Sequence, residues 1–85
     1  MKEIRTRLKK CQPYFIEKDL LSKLYFREDE KDTEYWIFKY SFINKLSDKS
    51  IGIRLDYDET TIYRKALRII KNNHALIKDF LENLQ

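Results

Sequence analysis

Residues 60–71 carry the most distinctive side-chain chemistry of this 85-residue sequence. Hydroxyl groups, a tyrosine ring and four cations alternate with apolar residues here, and no acid interrupts them. Hydroxyls and cations on a helix surface bind phosphates and the edges of base pairs. We predict that this segment and one upstream lysine contact double-stranded DNA. The predicted contacts are Lys49, Thr60, Thr61, Tyr63, Arg64, Lys65, Arg68 and Lys71.

The sequence offers little for catalysis or metal binding. Cys11 is the only cysteine and His74 the only histidine, and neither stands in the pattern of a catalytic triad or a zinc site. We therefore expect no enzymatic activity, no metal and no cofactor. Cys11 is interpreted as a small apolar core residue and His74 as a helix-surface or interface residue.

Two short-range patterns predict the helices that position these contacts. Ser47 is a candidate N-cap for a helix with Ile51 and Leu55 on one face, and Gly52 marks a close approach by a second helix. A tight corner at residues 56–57 follows.

Asp58 is a candidate second N-cap, because its carboxylate can accept backbone N–H groups at the positive end of the helix dipole. Apolar residues then recur at helical spacing, at Ile62, Ala66, Ile69 and Ile70. This spacing predicts a helix-turn-helix. The alternative is a packed helical hairpin whose charges only solvate it.

Charge changes sign along the first 34 residues. Residues 1–27 hold eight basic and three acidic residues, and Pro13 ends or restarts a helix there. This basic arm either contacts DNA phosphates or is a solvated helix end. Residues 28–34 hold five acids and one lysine. We expect a solvated turn that faces away from nucleic acid and leads into a helix capped by Asp32 or Thr33.

The aromatic segment Tyr35–Ile43 has strong strand propensity, yet Phe38 and Phe42 are four residues apart. We favour a helix, with Trp36 and Tyr40 as a second pair used for core packing rather than for stacking on bases.

Residues 44–45 form the link to the next helix. A left-handed turn is expected there, and asparagine is second only to glycine in tolerating left-handed backbone angles.

Farther along the chain, the line of apolar residues continues past Ile70 through Asn73. A single buried asparagine fixes the register in coiled coils. Either one long helix carries a dimer seam, or residues 72–73 end it and residues 75–84 fold back. We favour continuity, because each asparagine costs only about half a kcal/mol. The homodimer seam would be Ile69, Asn73, Leu76, Ile77, Phe80 and Leu84.

Residues 35–70 resemble region four of bacterial primary-type sigma factors and the small late-gene transcriptional activators of Gram-positive phages. The matching elements are Phe42-Ile43, Leu46-Ser47, Ile51-Gly52, Leu55, Tyr57-Asp58 and Thr60-Thr61-Ile62-Tyr63-Arg64. The sequence departs from that family at Lys45 and Asp56, where glycine is frequent, and at Gly52, where alanine is. The resemblance implies sequence-specific DNA binding in transcription control, by a protein of phage or mobile-element origin.

Together these patterns predict one cytoplasmic all-α domain of four to five helices with a helix-turn-helix. Its parts are basic N-terminal helices at 1–27, a helix-turn-helix core at 32–72 and a C-terminal helix or extension at 73–85. The net charge of +4 suits a polyanionic partner, and no apolar run is long enough for a membrane span. The alternative function is a protein-interaction module that docks on RNA polymerase or a sigma factor, which would tolerate the acids Asp58 and Glu59 more easily.

Overall fold

Six α-helices and no strand make up the part of the chain that the computed structural model describes, residues 1–84. They are α1 (Lys2–Lys10), α2 (Pro13–Asp19), α3 (Lys31–Phe38), α4 (Asp48–Leu55), α5 (Glu59–Asn72) and α6 (His74–Glu82). Two 3-10 turns lie at Leu21–Lys23 and Glu28–Glu30, and a π-helical turn, Lys39–Ile43, continues α3. The all-α prediction is confirmed, with six helices in place of four to five. Gln85, the end of the predicted 73–85 segment, lies outside the described residues.

Local signals set several helix boundaries as expected. Pro13 is the first residue of α2, where its missing N–H costs nothing. The Tyr35–Ile43 segment is helical, which confirms the preference for helix over strand. The predicted cap of α3 is wrong, because the helix begins at Lys31, directly after a 3-10 turn, without a side-chain cap.

Helix α5 lies at the centre of the packing and contacts α1, α3, α4 and α6. Its apolar face is fully buried. The core around it includes Leu8 of α1, Ile16 of α2, and Phe38 and Phe42 of α3 and its π-helical turn. The helices around it therefore hold α5 in place and leave its polar side outward.

The left-handed residue before α4 is Lys45 (φ 60°) and not Asn44, which has right-handed helical angles. The contacts of the Lys45 side chain give a reason why Lys45, and not Asn44, adopts the left-handed angles. The ammonium group of Lys45 donates to the carbonyl oxygens of Leu8 (3.2 Å) and Cys11 (2.8 Å) at the end of α1. The Leu8 carbonyl also accepts the backbone N–H of Cys11 at 3.1 Å, so the Lys45 ammonium group adds a second hydrogen bond at the end of α1.

The long helix predicted from residue 60 to 84 is wrong, because α5 ends at Asn72 and α6 begins at His74. Asn73 between them is non-helical (φ −123°, ψ 27°) and only 6% exposed. Its side chain binds the backbone of Tyr25 and the carbonyl oxygen of Ile69. The low helix-propensity cost of asparagine favoured a continuous helix, but these hydrogen bonds stabilise a non-helical Asn73 instead.

Candidate nucleic-acid interface

Both helices of the α4–α5 pair begin at the predicted caps. The Ser47 hydroxyl accepts the N–H of Ser50 at 3.1 Å, and the Asp58 carboxylate accepts the N–H of Thr61 at 3.0 Å. Asp56, at the end of α4, adopts left-handed angles (φ 62°) that turn the chain within two residues. We call residues 55–58 the α4–α5 corner.

Gly52 lies against this corner. A Cβ atom added there would collide with the carbonyl oxygen of Tyr57, while the Gly52 carbonyl oxygen accepts the N–H of Tyr57 at 2.9 Å. Only a residue without a side chain permits this approach. A close approach at Gly52 is confirmed, but its neighbour is the backbone of Tyr57 and Asp58 in the corner and not the second helix that the prediction named.

Among the exposed polar residues of α5, three lie on one side of the helix, Thr60, Arg64 and Lys71, and we call these three the α5 stripe. They are four and seven residues apart and lie opposite the buried Ile62 and Ala66. In the described chain, Arg64 and Lys71 form no ion pair. On α5, the stripe is thus the part of the predicted site that is open to a ligand.

Two other predicted contacts of α5 bind acids of the same chain. Glu30 forms ion pairs with Lys65 and, at 2.7 Å, with Arg68. Arg68 also lies 3.5 Å from Glu34, which is 1% exposed. The acidic segment 28–34 is therefore not the solvated turn that its composition predicts. It lies against α5 and neutralises part of its charge.

Glu30 is the centre of this cluster. It also lies 3.3 Å from Arg27, and the hydrogen bond from Lys65 lowers the pKa of the Glu30 carboxyl. Glu34 accepts the backbone N–H of Arg27 at 2.8 Å. The signal missed in the sequence was charge complementarity between segments more than 30 residues apart.

Tyr63 and Thr61 are half-buried, and each contacts another residue of the same chain. The Arg5 guanidinium lies 5.2 Å from the centre of the Tyr63 ring and forms a 2.5 Å ion pair with Asp48 at the start of α4. The Thr61 hydroxyl donates to Asp58 at 3.1 Å. Arg5 thus joins α1 to α4 and α5, a role for which the sequence of α1 gave no specific signal.

The remaining predicted contact, Lys49, is exposed on the first turn of α4. No known protein-family model matches the chain, and comparisons with curated proteins and solved structures found no match. Across the described residues, no group of three His, Cys, Asp or Glu is placed to hold a metal ion. Nor does this part of the chain contain a helix with the length and apolar character needed to cross a membrane.

Acids next to the α5 stripe affect what it can bind. Asp58 and Glu59 are exposed at the start of α5. The hydrogen bond from the Thr61 backbone lowers the pKa of the Asp58 carboxyl and so favours its charged form. Phosphate contacts are therefore favoured toward Arg64 and Lys71 and opposed at the first residues of the helix, where Glu59 can still accept from a cytosine amino group.

The predicted dimer seam is mostly used inside the monomer. Ile69 and Ile77 are fully buried, and Asn73 and Phe80 nearly so. Leu76 and Leu84 are half-buried beside a cavity of about 250 Å³ between α6 and the segment from Asp19 to Lys23. Any contact with a second copy along this line would rest on these two leucines.

Proposed function

We propose that this protein is a sequence-specific double-stranded DNA-binding transcriptional regulator in which α4 and α5 act as a helix-turn-helix. The observation that carries the proposal is the α4–α5 corner, which packs α5 against α4 and leaves Thr60, Arg64 and Lys71 exposed on one side. Helix α5 has 14 residues, a length of about 21 Å at 1.5 Å per residue. A helix of this size fits the major groove.

The roles within the stripe follow from position. In a helix-turn-helix the N-terminal residues of the second helix meet base edges, which assigns that role to Thr60 and Arg64. An arginine can bind guanine with two hydrogen bonds. Lys71, near the C-terminus, and Lys49 on α4 would contact phosphates. Lys65 and Arg68 contribute fully only when their bonds to Glu30 are given up.

Selection from random duplex DNA, followed by binding measurements with two double variants, tests the proposal. Arg64→Gln with Lys71→Gln removes two charges from the stripe. Lys31→Gln with Lys78→Gln removes two exposed charges outside the predicted contacts and the basic arm, and is the matched control. The stripe variant is expected to weaken binding by roughly tenfold or more and to reduce the salt dependence of log Kd by about 0.9 per lost phosphate contact. Equal effects of both variants, or no enriched sequence, would contradict sequence-specific binding through α5.

A second candidate is docking on RNA polymerase or a sigma factor without DNA recognition. The exposed acids Asp56, Asp58 and Glu59 around the α4–α5 corner favour it, because they repel phosphate and suit a basic protein surface. Retention of polymerase from a nuclease-treated host lysate, lost on neutralising these acids, would support this candidate.

A homodimer remains part of the proposal, with Leu76 and Leu84 as its apolar contacts. A palindromic sequence recovered from the selection would indicate two copies on half-sites about one helical turn apart. Sedimentation of the protein with and without that DNA would give the copy number directly.

A further inference from the structure

Two neighbouring aromatic rings, one on α3 and one on the π-helical turn that continues it, reach the surface; Tyr40 packs partly against the core, as predicted, while Trp36 is the more exposed. Trp36 is 39% exposed, although its pattern predicts core packing, and Tyr40 is half-buried beside it. The ring centres lie 5.3 Å apart with the planes tilted by 31°. Trp36 therefore keeps part of its ring in contact with water, and tryptophan is enriched at protein interfaces.

A cation lies over each ring. The Lys39 ammonium group is 5.4 Å from the centre of the Trp36 ring, and the Arg54 guanidinium is 5.5 Å from that of Tyr40. Neither Lys39 nor Arg54 forms an ion pair with any residue from 1 to 84. Trp36, Lys39, Tyr40 and Arg54 form what we call the aromatic-cationic surface.

Helix α4 carries an exposed apolar side chain one residue before Arg54. Ile53, directly before Arg54, is 76% exposed, the highest value among the large apolar residues of the described chain. None of these residues belongs to the α5 stripe. The surface is therefore independent of the groups assigned to DNA.

We propose that the aromatic-cationic surface docks an acidic segment of a protein partner that also presents apolar side chains. The choice of an acidic partner rests on charge complementarity. Neither cation forms an ion pair within residues 1–84, so both can donate hydrogen bonds to carboxylates, while the rings and Ile53 supply apolar contact. A base that stacks on the covered ring faces would displace the cations there, whereas a carboxylate binds those cations where they are. The proposal does not depend on DNA binding by α5.

Trp36 is the only tryptophan, so its fluorescence reports binding at this surface directly. The probe is a synthetic amphipathic helical peptide of leucine and glutamate, compared with its glutamine analogue. We expect a saturable blue shift of Trp36 emission with the glutamate peptide, and roughly tenfold weaker binding of the analogue. Lys39→Gln with Arg54→Gln should weaken binding similarly, whereas Arg64→Gln with Lys71→Gln should leave it unchanged.

The charge-conserving pair Lys39→Arg with Arg54→Lys is expected to keep the binding, and circular dichroism of each variant verifies the fold. Absence of a saturable shift, or equal binding of the glutamine analogue, would overturn the proposal. Tighter binding of oligothymidine or of phosphatidylglycerol vesicles would also overturn it, because the surface would then belong to a single-stranded nucleic acid or a lipid.

Discussion

Asn73 binds both backbone groups of Tyr25. Its Oδ1 accepts the Tyr25 N–H at 2.7 Å, and its Nδ2 donates to the Tyr25 carbonyl oxygen at 2.8 Å. The same Nδ2 donates to Ile69 at 2.9 Å. One side chain thus holds the segment after α2 against the junction of α5 and α6, where the chain changes direction.

Asn73→Ala is expected to lower the free energy of unfolding by about 2 kcal/mol, because it removes these hydrogen bonds and leaves partly buried backbone groups without partners. Asn72→Ala is the matched control, since Asn72 is exposed and precedes Asn73 in the chain. Urea unfolding measures both variants. Equal midpoints would mean that the Tyr25 contacts contribute nothing to stability.

Gly52→Ala should destabilise the protein, against the usual gain from replacing glycine in a helix. Alanine is favoured by about 1 kcal/mol in an unconstrained helix. Here its Cβ would collide with the Tyr57 carbonyl, a backbone group that cannot move aside alone. We expect a net loss of about 1–3 kcal/mol. Ile53→Ala, at the exposed neighbouring position, should change stability much less, and a stabilising Gly52→Ala would show that the corner is loose.

Asp58 gives stability a defined pH dependence. Its pKa is lowered in the folded protein, so its contribution is present above the unfolded value of about 3.9 and is lost as pH falls through the lower folded value. An asparagine side chain at this position would keep a capping oxygen without titrating. The difference in Tm between wild type and Asp58→Asn should therefore be constant above about pH 5 and shrink at lower pH. A difference that does not change with pH would exclude Asp58 as the titrating group.

Features fixed by neighbouring residues could be predicted from the sequence. The caps at Ser47 and Asp58, the helix start at Pro13 and the close approach at Gly52 each depend on contacts within a few positions. Short-range rules of capping and sterics suffice for such features.

Features fixed by distant contacts were missed. The break at Asn73 depends on a segment 48 positions earlier, and the Lys45 conformation depends on carbonyls at the end of α1. The pairing of Lys65 with Glu30 spans 35 positions. Helix propensity and local charge do not depend on such distant partners. The predicted DNA contacts therefore included Lys65 and Arg68, which form ion pairs with Glu30 in the folded chain.

Under the proposed DNA binding, Glu30 limits the positive charge that α5 can offer to phosphates, because it pairs with Lys65 and Arg68. Glu30→Gln weakens the hold on Lys65 and Arg68, so DNA affinity should rise and its salt dependence should steepen by about 0.9 per additional phosphate contact. Glu28→Gln removes the same charge at an exposed position without an ion pair in the described chain. Titrations across salt concentrations distinguish the two variants. An equal gain from both would mean that only net charge changed, and that Lys65 and Arg68 do not reach the DNA.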